Sequence, residues 1–193
     1  MIKYRLMKSF FVFIFFNSIV ISNNILSNRV LGDANWGTHI TPLITAVVNT
    51  EGPVLEMGCG DFSTPVLHAI CSQKKRFLLS AELDLSWMKL FCDLECDFHN
   101  FEHVKNVREW ENVGKDLHWG VVLIDHSPAE QRVKAIKRLR SQVDIFVVHD
   151  TDASAYYGYG PVLSTFKYRY TYQRYKKTTM LVSDTINVAL FFE

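Results

Sequence analysis

The residues best placed to do chemistry stand at the ends of apolar runs. Glu56-Met57-Gly58-Cys59-Gly60 follows Val54-Leu55 and leads into Asp61, Phe62, Ser63, Thr64 and Pro65. An apolar run, an acid, two glycines one residue apart and then helix-starting residues describe a buried strand that turns sharply into a helix. Such a turn leaves bare backbone at a helix N-terminus, where a nucleotide-like cofactor can sit. Three further runs end in polar side chains: Glu82 after residues 76–81, Asp125-His126 after residues 119–124, and His149-Asp150-Thr151-Asp152 after residues 144–148. Ligands of open α/β sheets bind at the carboxyl ends of the strands, so these acids and histidines are expected along one rim.

The elements that must position them alternate. Thr41 as N-cap and Pro42 at the first helical position open a leading helix with Leu43, Ile44, Val47 and Val48 on one face. A first strand over residues 54–57 is followed by a helix over residues 65–73 that turns Val66, Leu67 and Ile70 inward. A second buried strand spans residues 76–81. Asp84 then caps a helix holding Met88, Phe91 and Leu94, and residues 101–107 form a weaker third strand. After the fourth strand, Ser127-Pro128-Ala129-Glu130 reads as a capping box ahead of a helix with Val133, Ile136 and Leu139 inside. Lys134, Lys137, Arg138 and Arg140 read as its solvated face. Arg132, one turn past Ser127, either reaches back to the strand ends or lies on the surface. A tyrosine- and glycine-rich loop follows the fifth strand. Residues 166–175 then alternate, with Tyr168, Tyr170 and Tyr172 on one side, and residues 178–183 supply an antiparallel partner. The fold class is α/β: a Rossmann-like, mostly parallel seven-stranded sheet with helices on both faces and a C-terminal antiparallel hairpin.

The chain has 193 residues, enough for one domain with a real core, and its 48% hydrophobic and 21% charged residues are a globular composition. A net charge of +1 supplies no overall field toward nucleic acid, and no nucleic-acid partner is expected.

Two nucleotide patterns compete for the glycine turn. A dinucleotide fingerprint, G-x-G-x-x-G, is met at Gly58 and Gly60 but has Ser63 in its third place. The stretch more closely resembles motif I of class I S-adenosylmethionine-dependent methyltransferases, E/D-x-G-x-G-x-G, with Glu56, Gly58 and Gly60 matching and Phe62 last. The order of elements from residue 38 to about 183 is similar to that family as well. The resemblance implies S-adenosyl-L-methionine as cofactor. Glu56 would serve its amino end, Gly58, Cys59, Gly60 and Ser63 would form the turn against it, and Glu82 would accept from the ribose hydroxyls. Trp110 would contact adenine or else pack in the core, and Asp125 would shape the pocket.

Leu123-Ile124-Asp125-His126 resembles the strand-four end of catechol O-methyltransferase-type enzymes. That implies Mg²⁺ held by the oxygens of Asp125, Asp150 and Asp152, where it would lower the pKa of a bound hydroxyl. Thr151 stands where that group has asparagine, and Pro128 where it has a base lysine. His126 or His149, with Asp150 alongside, is then the expected catalytic group. Tyr156, Tyr157 and Tyr159 follow strand five, where this fold builds its acceptor site, and hydroxylated aromatics suit a flat or sugar-like acceptor. The expected function is methyl transfer from S-adenosylmethionine to a small-molecule or surface-group acceptor, with O-methylation in view. The alternative is a non-catalytic, methyltransferase-like secreted or membrane-tethered binding protein.

Residues 1–30 read differently from the rest. Lys3, Arg5 and Lys8 precede an almost wholly apolar run over residues 10–21, the pattern of a secretory signal peptide or retained signal anchor. The run falls short of the ~20 apolar residues of a membrane span. The methyltransferase-like domain would then be residues 31–193, in the secretory pathway, with membrane contact through the N-terminal segment. In that compartment Cys59, Cys71, Cys92 and Cys96 could pair, although Cys92 and Cys96, four apart on one helix, are poorly placed to bridge each other.

Overall fold

Buried strands separated by helices have no neighbour close enough in sequence for a hairpin, so they pair in parallel. The computed structural model describes residues 37–174 and 177–193. The expected leader over residues 1–30 lies outside the described residues. Strands β1 (Val54–Met57), β2 (Leu78–Glu82), β3 (His99–His103), β4 (Trp119–Ile124) and β5 (Val143–Val148) are mutually parallel. β6 (Tyr168–Arg174) and β7 (Lys177–Ser183) form the antiparallel hairpin, and β7 pairs with β5. The seven-stranded sheet has the order β3-β2-β1-β4-β5-β7-β6. The chain leaves β1 toward β2 on one side and returns to β4 on the other. The crevice between β1 and β4 is therefore the switch point at which such sheets bind ligands.

The helices are α1 (Ile40–Val48), α2 (Thr64–Lys74), α3 (Leu85–Met88), α4 (Ala129–Leu139), α5 (Ser154–Tyr157) and α6 (Gly160–Leu163). Every residue of β1 and β4 is buried, as central strands covered on both faces must be. Alternate residues feed two core layers. Leu55, Met57, Val122, Ile124 and Phe146 pack with Ile136 and Leu139 of α4. Val54, Val121, Leu123, Ile145 and Val147 pack with Leu43 and Val47 of α1 and Leu67 of α2. On edge strand β6 the tyrosines take the half-buried side, and Tyr170 stacks on Phe192 at 4.1 Å.

Several boundaries differ from expectation for identifiable reasons. α1 starts at Ile40 with His39 as N-cap, so Pro42 falls inside the first turn, where its missing N–H would be unbonded in any case. β2 starts at Leu78 because the Arg76 guanidinium is buried under the α1–β1 loop, donating to the carbonyls of Val47, Thr50, Glu51 and Gly52. Asp84 caps α3 through the N–H groups of Ser86 and Trp87, but the helix stops at Met88. A separate 3₁₀ turn, Cys92–Leu94, follows, and Met88 and Phe91 bury themselves against Cys59. The third strand comes earlier than residues 101–107. Ser127 is not a cap: α4 has Pro128 as N-cap and no side-chain capping bond. Thr64, Leu67 and Cys71 form the fully buried side of α2, with Ile70 packed partly buried against the same core and Val66 outside it. The four cysteines are free thiols, and no helix among the described residues is long and apolar enough to cross a membrane.

Candidate functional site

The two glycines of the turn do different work. Gly58 has φ +96°, and a Cβ there would lie 2.8 Å from the backbone of Asp125 and His126. Its bareness lets the end of β1 press against the end of β4, where Asp125 N–H donates to Met57 O at 2.9 Å. A Cβ on Gly60 would meet only Ser63 Oγ, at 3.3 Å. Gly60 is thus the position where the missing side chain leaves room for a ligand, its own N–H and C=O being bonded to Thr64, while Ser63 is the buried N-cap residue of α2.

Glu82, at the end of β2, is bonded into this turn. Its Oε2 accepts Cys59 N–H at 3.0 Å, and its Oε1 accepts Leu83 N–H at 2.8 Å and Asp84 N–H at 2.9 Å. A carboxylate has about four acceptor positions, so roughly one is left on a side chain that is 9% exposed. The indole N–H of Trp87 donates to Cys59 O at 2.8 Å and holds the same peptide from the other side. Burial raises the Cys59 thiol pKa, so this cysteine stays protonated.

Glu56 does not open onto the crevice. It is fully buried and accepts from Ser80 Oγ at 2.5 Å and from Thr64 Oγ1 at 3.0 Å, while Thr64 Oγ1 accepts Gly60 N–H at 2.9 Å. The acid therefore supports the turn through Thr64. Burial raises its pKa to about 7, against hydrogen bonds from Ser63, Ser80 and Thr64 that lower it. The polar chain continues from Ser80 Oγ to His99 Nε2 at 2.9 Å and from His99 Nδ1 to His68 Nδ1 at 3.1 Å.

Trp110 occupies the core alternative: it is buried, its indole donates to Ser127 O at 2.9 Å, and its ring lies 4.2 Å from that of His126. His126 is 1% exposed, and neither ring nitrogen has a hydrogen-bond partner among the described residues. Burial, then the positive charge of Arg132, pushes its pKa to about 3. A neutral ring sealed in the core cannot exchange protons with a substrate near neutral pH.

The other strand-end groups converge around Arg132, which is 5% exposed and turns back from α4 to the sheet. Its guanidinium contacts Asp125 Oδ1 at 3.1 Å and Asp150 Oδ2 at 3.4 Å, and donates to the carbonyls of Asp125 and His126. His149 Nδ1 lies 3.1 Å from Asp125 Oδ1, and its Nε2 lies 3.2 Å from Thr38 Oγ1. Burial lowers the His149 pKa, but the Asp125 hydrogen bond and the charges of Asp125 and Asp150 outweigh it and the net shift is upward. Asp125 moves down: burial opposes this, and His149, His39 and Arg132 overcome it.

Asp150 borders this group, 3.7 Å from His149 Nδ1, and Asp152 turns elsewhere. Asp150, at φ 55°, accepts from Tyr157 OH at 3.2 Å and faces Lys177 Nζ at 3.5 Å. Asp152 meets Lys177 Nζ at 3.4 Å and Thr178 N–H at 3.1 Å. The ligand-type atoms that gather with Asp125 are imidazole nitrogens of His39 and His149, all within 4.8 Å of one another. Of the tyrosines, Tyr157 lies against Arg132, Tyr159 is in the core and Tyr156 is exposed.

Sequence reasoning missed His39, Thr38, Trp87 and Lys177. His39, beside the leading helix, and Trp87, one turn past the Asp84 cap, carry a positional signal. Lys177 carries none, because only the β7–β5 pairing brings it to the rim.

No protein-family model matches the chain, and no curated protein matches it at the level of sequence. Solved structures do match. A protein of Staphylococcus aureus assigned as a caffeoyl-CoA O-methyltransferase aligns at 9% identity over 92% of this chain and 99% of its own, with a TM-score of 0.59. Cofactor-bound Rv0187 from MTB aligns at 14% identity over 88% of this chain and 89% of its own, with a TM-score of 0.60. Human methyltransferase-like protein 13, in complex with SAH, aligns at 13% identity over 78% of each chain, with a TM-score of 0.51. The chain has the fold of the class I S-adenosylmethionine-dependent methyltransferases.

Proposed function

We propose that this protein binds S-adenosyl-L-methionine at the carboxyl ends of β1 and β2 and methylates a small-molecule or surface-group acceptor held over Asp125 and His149. The observation that carries the reading is the bond from Cys59 N–H to Glu82 Oε2 at 3.0 Å. It joins a carboxylate with an acceptor position left for a ribose hydroxyl to a turn where Gly60 puts no side chain in a ligand's way. The residues fit the cofactor on that ground. Glu82 would accept from a ribose hydroxyl, the bare Gly60 would let the nucleoside lie against the turn, and Trp87 keeps the Cys59 peptide in place. When bound, S-adenosylmethionine supplies an electrophilic methyl group on a sulfonium.

The protein's own part is orientation and proton management. Glu56, acting through Thr64, keeps the turn in one conformation. His126 is sealed against Trp110 and serves packing. Activation of an acceptor hydroxyl falls to the Asp125–His149 pair, which Arg132 anchors to α4. Asp150 and Tyr157 line the neighbouring wall. Holding the acceptor in line with the sulfonium supplies the rest of the rate.

The test is turnover. The full-length protein is incubated with methyl-labelled S-adenosylmethionine and a panel of phenols, catechols, sugars and amines. Label should pass to a hydroxylated acceptor in the wild type and fall sharply in Asp125→Asn. Tight cofactor binding without transfer to any acceptor would move the assignment to a non-catalytic binding protein.

A further inference from the structure

We propose that His39, Asp125 and His149 form a binding site for one divalent first-row transition ion. The three residues stand on three rigid elements: His39 is the N-cap of α1, Asp125 follows the last residue of β4, and His149 follows the last residue of β5. Ile124 and Val148 are register partners, so Asp125 and His149 occupy equivalent positions one residue further along neighbouring strands.

Their ligand atoms already lie within 4.8 Å of one another, and His149 Nδ1 and Asp125 Oδ1 are 3.1 Å apart. Ligand atoms of a tetrahedral ion with bonds near 2.0–2.1 Å stand about 3.3 Å apart. That pair is hydrogen-bonded in the metal-free protein, so an ion would take the place of the shared proton, with a His39 nitrogen within 4.8 Å of both atoms. The outer contacts are of the kind that orient metal ligands. Thr38 Oγ1 meets the second nitrogen of His149, and Arg132 steadies Asp125.

The donor set selects the class of ion. Two imidazoles and one carboxylate suit zinc, iron, cobalt or nickel, whereas magnesium and calcium want oxygen alone. Asp150 and Asp152 both face Lys177, and Arg132 contacts Asp125 and Asp150 alike, so the groups that gather with Asp125 are imidazoles and not further free carboxylates. Three protein ligands leave at least one coordination position open, as in catalytic rather than structural sites. On the methyl-transfer reading that position faces the acceptor, whose hydroxyl a bound ion would ionise. Ion binding itself does not depend on that reading.

The experiment uses the full-length protein, stripped with a chelator and free of any cofactor. Co²⁺ is titrated and followed by its visible absorption, and Zn²⁺ is titrated by competition against a chromophoric chelator. One ion per chain is expected, with excess Mg²⁺ not competing. His39→Gln and His149→Gln should each weaken Co²⁺ binding by at least about 10-fold, and Asp152→Asn should leave it within about two-fold. X-ray absorption of the zinc-loaded wild type should show two imidazoles per ion, a readout that needs no variant to fold. Failure of the wild type to bind either ion overturns the proposal, as does equal binding by the two histidine variants or a zinc shell without imidazole. Binding of S-adenosylhomocysteine by the same metal-free protein, measured separately, shows whether the cofactor reading has failed with it.

Discussion

Replacing Glu56 by glutamine should remove a pH dependence of folding stability. Glu56 is fully buried, and its pKa stands at about 7 against an ordinary 4.5. Below pH 4.5 both folded and unfolded chains hold the proton. Between 4.5 and about 7 the unfolded chain releases it and the folded chain does not, so stability falls as pH rises, and it levels off above that window. A displacement from 4.5 to about 7 corresponds to roughly 3 kcal/mol. Glutamine is the same size and can still accept from Thr64 and meet Ser80, so the glycine turn keeps its support. The assay is urea unfolding of wild type and Glu56→Gln at pH 5 and pH 8, followed by tryptophan fluorescence. Groups such as His99, whose pKa burial pushes to about 3, affect both proteins alike and cancel in the comparison. Wild type should lose roughly 2–3 kcal/mol more than the variant between the two pH values. An identical loss in both would refute the claim that burial of the Glu56 carboxyl outweighs its hydrogen bonds under the turn.

Gly58→Ala should destabilise by about 2 kcal/mol or more, because a Cβ would lie 2.8 Å from the Asp125–His126 backbone at a positive φ. Gly60→Ala should cost less than about 1 kcal/mol in stability but weaken S-adenosylhomocysteine binding; equal melting temperatures for the two variants would contradict this division of labour. Arg132→Met leaves Asp125 and Asp150 without their buried cation and should lower stability by about 3 kcal/mol in urea unfolding. Arg132→Lys should recover only part of it, since an ammonium cannot span both carboxylates, and a loss below about 1 kcal/mol for methionine would show the pairs to be incidental.

The strands were legible where burial leaves a continuous apolar run: residues 119–124 match β4 to the residue, because a central strand covered on both faces has no polar alternation to blur its ends. The glycine turn and the Asp84 cap were legible because positive φ and orphan helix N–H groups demand particular residue types. Side-chain partners were not legible. Glu56 looked like a ligand-facing acid, yet its environment is set by Thr64 and by Ser80 on the neighbouring strand. Ser127 had the composition of a capping box, but its carbonyl is taken by Trp110 and the helix starts after Pro128. Three aspartates at strand ends suggested an oxygen site, and only the hairpin pairing shows that Lys177 occupies two of them. His39 joins Asp125 and His149 by tertiary packing that no local spacing encodes.

The central claim is that the glycine turn and Glu82 together form the cofactor site, and calorimetric titration with S-adenosylhomocysteine tests it most directly. The full-length wild type should bind one equivalent, and Glu82→Gln, which loses the charge and turns an NH2 toward one of the backbone N–H groups the carboxylate accepts from, should bind roughly ten- to hundred-fold more weakly. Glu56→Gln, altered beneath the turn but not at the ligand, should bind nearly as the wild type does. No heat of binding by the folded wild type, or equal affinity for wild type and Glu82→Gln, would contradict the account.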